Sequence, residues 1–238
     1  MDFDYQQLLL TLLPDLVVVE ALFALALLGV HLSRVGEELI LWSTDEFGFV
    51  GLDDAFSTGS SMLPQKKNAD IAELARGKAG GLIGHLTGLL TTLKGLPLAY
   101  DKDLQEDKEP LFDSCDTVRL TVVALTGMIE SLKFNADSMS SSADSEHVAA
   151  TDLADFLVKK GVPFREAHSV VAGLVRESLD GGEQLRELVG SHPDLGSEAA
   201  ELLQPGVGWS QRNSHGGGGV VAVTEQLAAL RERVDALS

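Results

Sequence analysis

Cysteine is nearly absent from this chain of 238 residues, where Cys115 stands alone. A single thiol makes no internal disulfide, which excludes a stapled scaffold and a cysteine-based metal site and points to a reducing compartment. The expected place for Cys115 is that of a small buried apolar residue. Basic residues are scarce as well. Against 36 acids there are 18 bases, and the formal net charge of −18 repels phosphate backbones, so no nucleic-acid partner is expected. Aromatics make up 5% of the chain and period-two alternation is almost missing, which argues against sheets. No base precedes Arg34, so the N-terminal segment lacks the charged start of a secretory signal. Pro14, Asp15 and Glu20 interrupt the apolar first quarter and leave only Ala21 to Val30 unbroken, whereas crossing a bilayer takes about 20 apolar residues. No membrane partner is expected, and the cytoplasm is the expected location. Phosphate-loop spacing is missing, and no repeat recurs at a fixed period.

What is present is helical periodicity, and the expected fold class is all-α: a long-helix bundle followed by a small helical domain. Residues 16–42 are apolar nearly all round, so this helix needs cover on most sides, as the central member of a bundle or one shared between subunits. Residues 45–68 read as a long connection. A second helix is expected from Asp70 to about Gly95, with Leu82, Ile83, Leu86, Leu89, Leu90 and Leu93 on one face. Its glycines Gly80, Gly84 and Gly88 recur every four residues, a stripe that lets another helix approach closely. A third helix covers roughly Pro110 to Phe134. The serine-rich stretch Ser138 to Ser145 marks the expected boundary, giving domains 1–146 and 147–238. Beyond it the helices shorten. Thr151-Asp152 is expected to cap one that stops at Gly161, Pro163 opens the next, and Val220 to Leu237 reads as a final amphipathic helix.

Chemistry concentrates in Ser57 to Asn68. Gly59, Ser60 and Ser61 let backbone amides turn toward a ligand, Lys66 and Lys67 bring positive charge, and Asn68 can fix a carboxylate or amide. Residues 1–59 hold ten acids and one base, yet seven of the 18 bases fall in residues 60–108. A local basic patch in an acidic chain suits an anion, although a solvated surface loop with scattered lysines fits the composition too. Its glycine and serine content predicts more mobility than in the helices around it, with ordering around a dicarboxylate. His85 and His168 read as hydrogen-bonded packing or capping residues. Glu106, Asp107 and Glu109 among Lys102 and Lys108 fit an exposed ion-pair network, while the three-residue spacing of Gln105 and Lys108 places both on one helical face and keeps a ligand role open.

The run Ser57 to Asn68 resembles the signature of the fumarase and aspartase superfamily. Leu93 to Glu109, with the core Tyr100-Asp101-Lys102-Asp103-Leu104-Gln105, resembles the argininosuccinate lyase family within it, and so does the stretch from Ala150 to His168. The resemblance is nearly continuous from about residue 16 to 170. It implies the superfamily's long-helix bundle and reversible β-elimination of argininosuccinate to arginine and fumarate, in arginine biosynthesis, by a homotetramer needing no cofactor and no metal. It further implies that Ser60 is the catalytic base and Lys66 the cation facing the carbanion, with Ser61, Asn68, Tyr100, Gln105 and Lys108 contacting substrate.

Departures are mild. Ala69 stands where the family has proline, Leu63 where methionine is common, Asp101 where asparagine is usual, and Gly216 to Gly219 where a Gly-Gly-Thr-Ala turn is expected. Family members are about twice as long, and their sites combine three motif regions from different subunits. Only the third region is recognisable, so the expectation is a C-terminal half, inactive until an N-terminal half carrying the partner histidine is supplied. The alternative is a non-catalytic helical assembly module derived from such a lyase.

Overall fold

The computed structural model describes residues 5–59, 67–97, 101–144 and 146–237, with side chains from residue 16 onward. The all-α expectation holds: long helices carry the fold, and the described strands are two-residue bridges. The chain forms two compact units, Met1–Asn135 and Ala136–Ser238.

The first unit is built on α1 (Tyr5–Trp42), α2 (Asp70–Leu93) and α3 (Lys108–Glu130). Helix α1 starts before residue 16 and passes through Pro14, which removes one backbone donor without ending the helix. Two glycines set the crossing of α1 on α2. A Cβ at Gly36 would stand 2.6 Å from the Ala72 carbonyl oxygen, and one at Gly29 would stand 2.5 Å from Leu82 Cδ1. These contacts run in opposite senses along the two sequences, so α1 and α2 are antiparallel. Helix α3 is antiparallel to α2 as well: Ser114 near its start meets His85, Val118 packs with Leu82, and Leu125 and Met128 near its end pack with Ala72 and Ala75. Arg76 and Glu37 add an ion pair between α2 and α1 at 2.5 Å.

Three expectations meet the structure here. Among the described residues no helix approaches the glycine stripe of α2, since a Cβ at Gly80, Gly84 or Gly88 would meet nothing within 4 Å; the close approach within the chain falls to the glycines of α1. Cys115 is exposed, because Ser114 and Val118 occupy the inward face of α3 and leave its neighbour outside. Within the single chain helix α1 is only partly covered, which leaves the alternative of a helix shared between subunits: Leu16–Trp42 is long and apolar enough to cross a membrane by length and composition, 17% of its 18-residue apolar window is buried, and Val17 and Phe23 are more than half exposed. One chain supplies too few neighbours for a helix apolar on every side.

The 45–68 connection is structured in its described part. Strand β1 (Val50–Gly51) pairs antiparallel with β4 (Lys133–Phe134), and β2 (Thr58–Gly59) pairs with β3 (Lys67–Asn68). Between β1 and β2 a 3-10 turn, Asp54–Phe56, is capped by the Asp53 carboxylate, which accepts from Ala55 N at 2.9 Å.

In the second unit the serine-rich stretch is helical, α4 (Ala136–Ala143). Helices α5 (Ala150–Lys159), α6 (Phe164–Gly181), α7 (Leu185–Ser191) and α8 (Gly196–Glu201) enclose a core of Leu153, Leu157, Ala167, Leu185, Val189 and Ala199. Pro163 precedes α6, and Gly182 at φ 72° ends it in the left-handed region that glycine enters freely. Thr151 and Asp152 do not cap α5. Asp152 is drawn to Arg212, whose Nε and Nη2 donate to its two oxygens at 3.2 and 3.0 Å, and this pairing raises the guanidinium pKa further. The terminal α9 (Val220–Asp235) buries Ala222 and leaves its other apolar residues exposed.

Candidate active site

The signature segment is flanked by the short strand pair β2 and β3. Cα partners Thr58↔Asn68 and Gly59↔Lys67 set the arms of β2 and β3 side by side, so the chain positions flanking 60–66 are fixed relative to each other. Ser60, Ser61, Lys66 and Tyr100 lie outside the described residues, as does the expected mobility of the segment. Asn68 is described. It is half-buried on β3, two residues before α2, and lines a cleft of about 480 Å³ with Ile40, Ser43, Val50, Leu52 and Lys67.

Gln105 and Lys108 occupy the other end of α2. Both are exposed, on the 3-10 turn Lys102–Asp107 and at the first position of α3. Positions three apart lie near one face in a 3-10 turn and in an α-helix alike, which leaves a common ligand role open. Asp107 is not part of an exposed network: its carboxylate is buried and takes the Lys108 ammonium at 2.5 Å. Lys102, Glu106 and Glu109 are exposed around it. One oxygen of Asp101, at the departure from asparagine, is buried without a hydrogen-bond partner among the described residues.

These groups do not meet inside one chain. Asn68 stands just before Asp70 at the start of α2, while α3 begins beyond the level of the His85–Ser114 contact, toward Leu93. A helix of 24 residues is about 36 Å long, so the two sets lie at opposite ends of the bundle. No hydrogen bond links Asn68 to Gln105 or Lys108 among the described residues. Amide and ammonium groups of this kind hold carboxylates, and a single site containing both sets takes more than one chain.

The histidines divide. His85 Nδ1 shares a hydrogen bond with buried Ser114 Oγ at 2.9 Å, and its Nε2 lies 3.7 Å from Asp113, as a packing residue should. His168 is exposed, its ring 6.1 Å from that of Phe164, on the rim of a mainly apolar groove of about 650 Å³ between α5 and α6. Lys67, expected to bring positive charge to a ligand, is engaged within the protein instead, a role that sequence reasoning missed. Its ammonium donates to the Leu52 carbonyl at 3.1 Å and pairs with Asp54 at 2.6 Å, holding the Asp54 carboxyl below its ordinary pKa by hydrogen bond and charge. No spacing signals this bond, because its partner is a backbone oxygen fifteen residues away.

A family model described as argininosuccinate lyase C-terminal matches residues 147–207, and one described as lyase matches residues 11–84. The argininosuccinate lyase of Thermobifida fusca (strain YX) is 51% identical over 224 residues, covering 92% of this chain and 47% of that one. That of Leifsonia xyli subsp. xyli (strain CTCB07) is 52% identical over 227 residues, covering 93% and 48%. The chain belongs to the argininosuccinate lyase family. It corresponds to the C-terminal half and spans about half the length of the curated relatives it matches. Among solved structures, an EDDS lyase variant with bound fumarate superposes with a TM-score of 0.78 at 28% identity, over 92% of this chain and 46% of that one. Class II fumarase from Schistosoma mansoni, at 16% identity and a TM-score of 0.67 over 79% of this chain and 38% of that one, shares the fold. The bundle of α1, α2 and α3 is thus the fumarase and aspartase architecture, within a family of lyases.

Proposed function

We propose that this chain provides the signature-bearing half of an enzyme that reversibly splits argininosuccinate into arginine and fumarate in arginine biosynthesis, in the cytoplasm and as a homotetramer. The observation that carries the reading is the identity of about half the residues across nearly the whole chain to argininosuccinate lyases. The separation of Asn68 from Gln105 and Lys108 supports assembly, since copies packed side by side can bring one end of α2 to the other end of a neighbour's.

In this reading Ser60 takes the proton from the carbon beside a carboxylate, and the electron pair left there is held as a dianion by Lys66 and nearby amides. The pair then forms the fumarate double bond as the C–N bond breaks and its electrons leave with the nitrogen. The acid that protonates that nitrogen would come from the N-terminal half. Asn68, Gln105 and Lys108, with Ser61 and Tyr100, bind the substrate's carboxylates and polar groups. All the chemistry is proton transfer and charge stabilisation, which amino-acid side chains provide.

Complementation tests it. With a separately expressed N-terminal half, the mixture is expected to release fumarate from argininosuccinate, read at 240 nm, and Ser60→Ala or Lys66→Met is expected to lower the rate by about 10²–10⁴-fold without preventing assembly. Turnover that survives both substitutions overturns these roles. The exposed apolar face of α1 also suits a second reading, a non-catalytic assembly module, for which the mixture assembles and stays inactive.

A further inference from the structure

Within the described residues the pairing of β2 with β3 covers two residues of each strand, and an isolated two-stranded pair is marginal in water, so contacts outside the ladder matter to the position of both arms. The arm that feeds β2 is well anchored. Its β1 pairs with β4, Asn135 N donates to the Phe49 carbonyl at 2.9 Å, and Phe56 lies so close to Gly127 of α3 that a Cβ there would come within 2.6 Å of the ring. Ser57 Oγ donates to the Asp53 carbonyl at 2.8 Å and closes the turn. The returning arm, β3, has one polar side-chain tie to this anchored strap among the described residues, Lys67 reaching the Leu52 carbonyl and the Asp54 carboxylate, while Ala69 just beyond it is buried in the core cluster that contains Leu52.

The two contacts of Lys67 differ in weight. Asp54 is 88% exposed, and an ion pair in that setting contributes little. Leu52 is buried, and its carbonyl takes a charge-assisted donor in a place where water competes less.

From this geometry we propose that Lys67, through its bond to the Leu52 carbonyl, is a positioning residue that ties β3 to the anchored strap and so holds the adjacent Asn68 in place for substrate. The tether stands on the structure alone; the role of Asn68 rests on the function proposed above.

Hydrogen exchange on the full chain, followed by mass spectrometry over residues 57–59 and 67–69, tests the tether without any turnover. Lys67→Met is expected to speed exchange there at least fivefold, with exchange along α2 and the helical melting curve unchanged. Asp54→Asn is expected to change it less than twofold, and Lys67→Arg, which keeps charge and donors, to restore protection. Unchanged exchange in Lys67→Met overturns the tether, and equal loosening by Asp54→Asn overturns the assignment to the carbonyl. In the complemented mixture Lys67→Met is expected to raise the KM for argininosuccinate at least fivefold and to move kcat less than twofold, with Lys67→Arg close to the unmodified chain. A fall in kcat at constant KM overturns the positioning role. A mixture in which even the unmodified chain shows no turnover counts against the lyase function, while exchange still decides the tether.

Discussion

At the scale of single residues, a few carboxylates decide where loops sit. Asp144 accepts from the Gly206 amide at 2.7 Å and the Trp209 indole at 3.0 Å, and these bonds, the backbone one foremost, hold its carboxyl below its ordinary pKa. A depressed carboxyl adds stability above its unfolded value, about 3.9, and loses it as pH falls through the lower folded value. Acid below about pH 4 is therefore expected to free the segment around Trp209 before the helices melt. With Trp42→Phe as background, Trp209 emission should shift ahead of the far-ultraviolet circular dichroism. Asp144→Ala should show the shifted emission already at neutral pH. The same acid-dependent step in Asp144→Ala would show that another group is responsible.

At the scale of elements, identical glycines in α1 and α2 have opposite consequences. Gly36→Ala forces a methyl against the Ala72 carbonyl, and pushing α1 off α2 is expected to cost about 1–3 kcal/mol. Gly84→Ala meets open space in the chain and gains helix propensity, so the dilute chain is expected to become more stable by about 1 kcal/mol. Urea denaturation of both variants checks this, and a Gly84→Ala loss as large as that of Gly36→Ala would mean the stripe is covered. Periodicity alone gave α2 and α3 to within a few residues, yet it did not show that the close approach within the chain falls on the glycines of α1. Sequence spacing reports which residues share a face, and only the docked partner reveals which face is used.

At the scale of the whole molecule, α1 is expected to drive association. A helix whose Val17 and Phe23 face water in the single chain leaves a large apolar surface, of the kind that marks an interface. Sedimentation at micromolar concentration is expected to show a stable assembly, with four copies the proposed state. Phe23→Asp should leave the folding of the chain nearly unchanged, since that side chain is already exposed, but should break the assembly, where burying an unpaired carboxylate is costly. A well-folded monomer from the unmodified chain would refute the association.

The sequence by itself determined the helical class, the long bundle helices and the residues of the signature, because periodicity and motif spacing are local properties that survive in one dimension. The tie from Lys67 to a backbone carbonyl, the burial of Asp107 beneath Lys108 and the capture of Asp152 by Arg212 were decided by tertiary structure. So was the separation of Asn68 from Gln105 and Lys108 along α2. A sequence orders these residues within forty positions of one another, but the antiparallel turn from α2 to α3 and the length of α2 determine that they stand at opposite ends of the bundle.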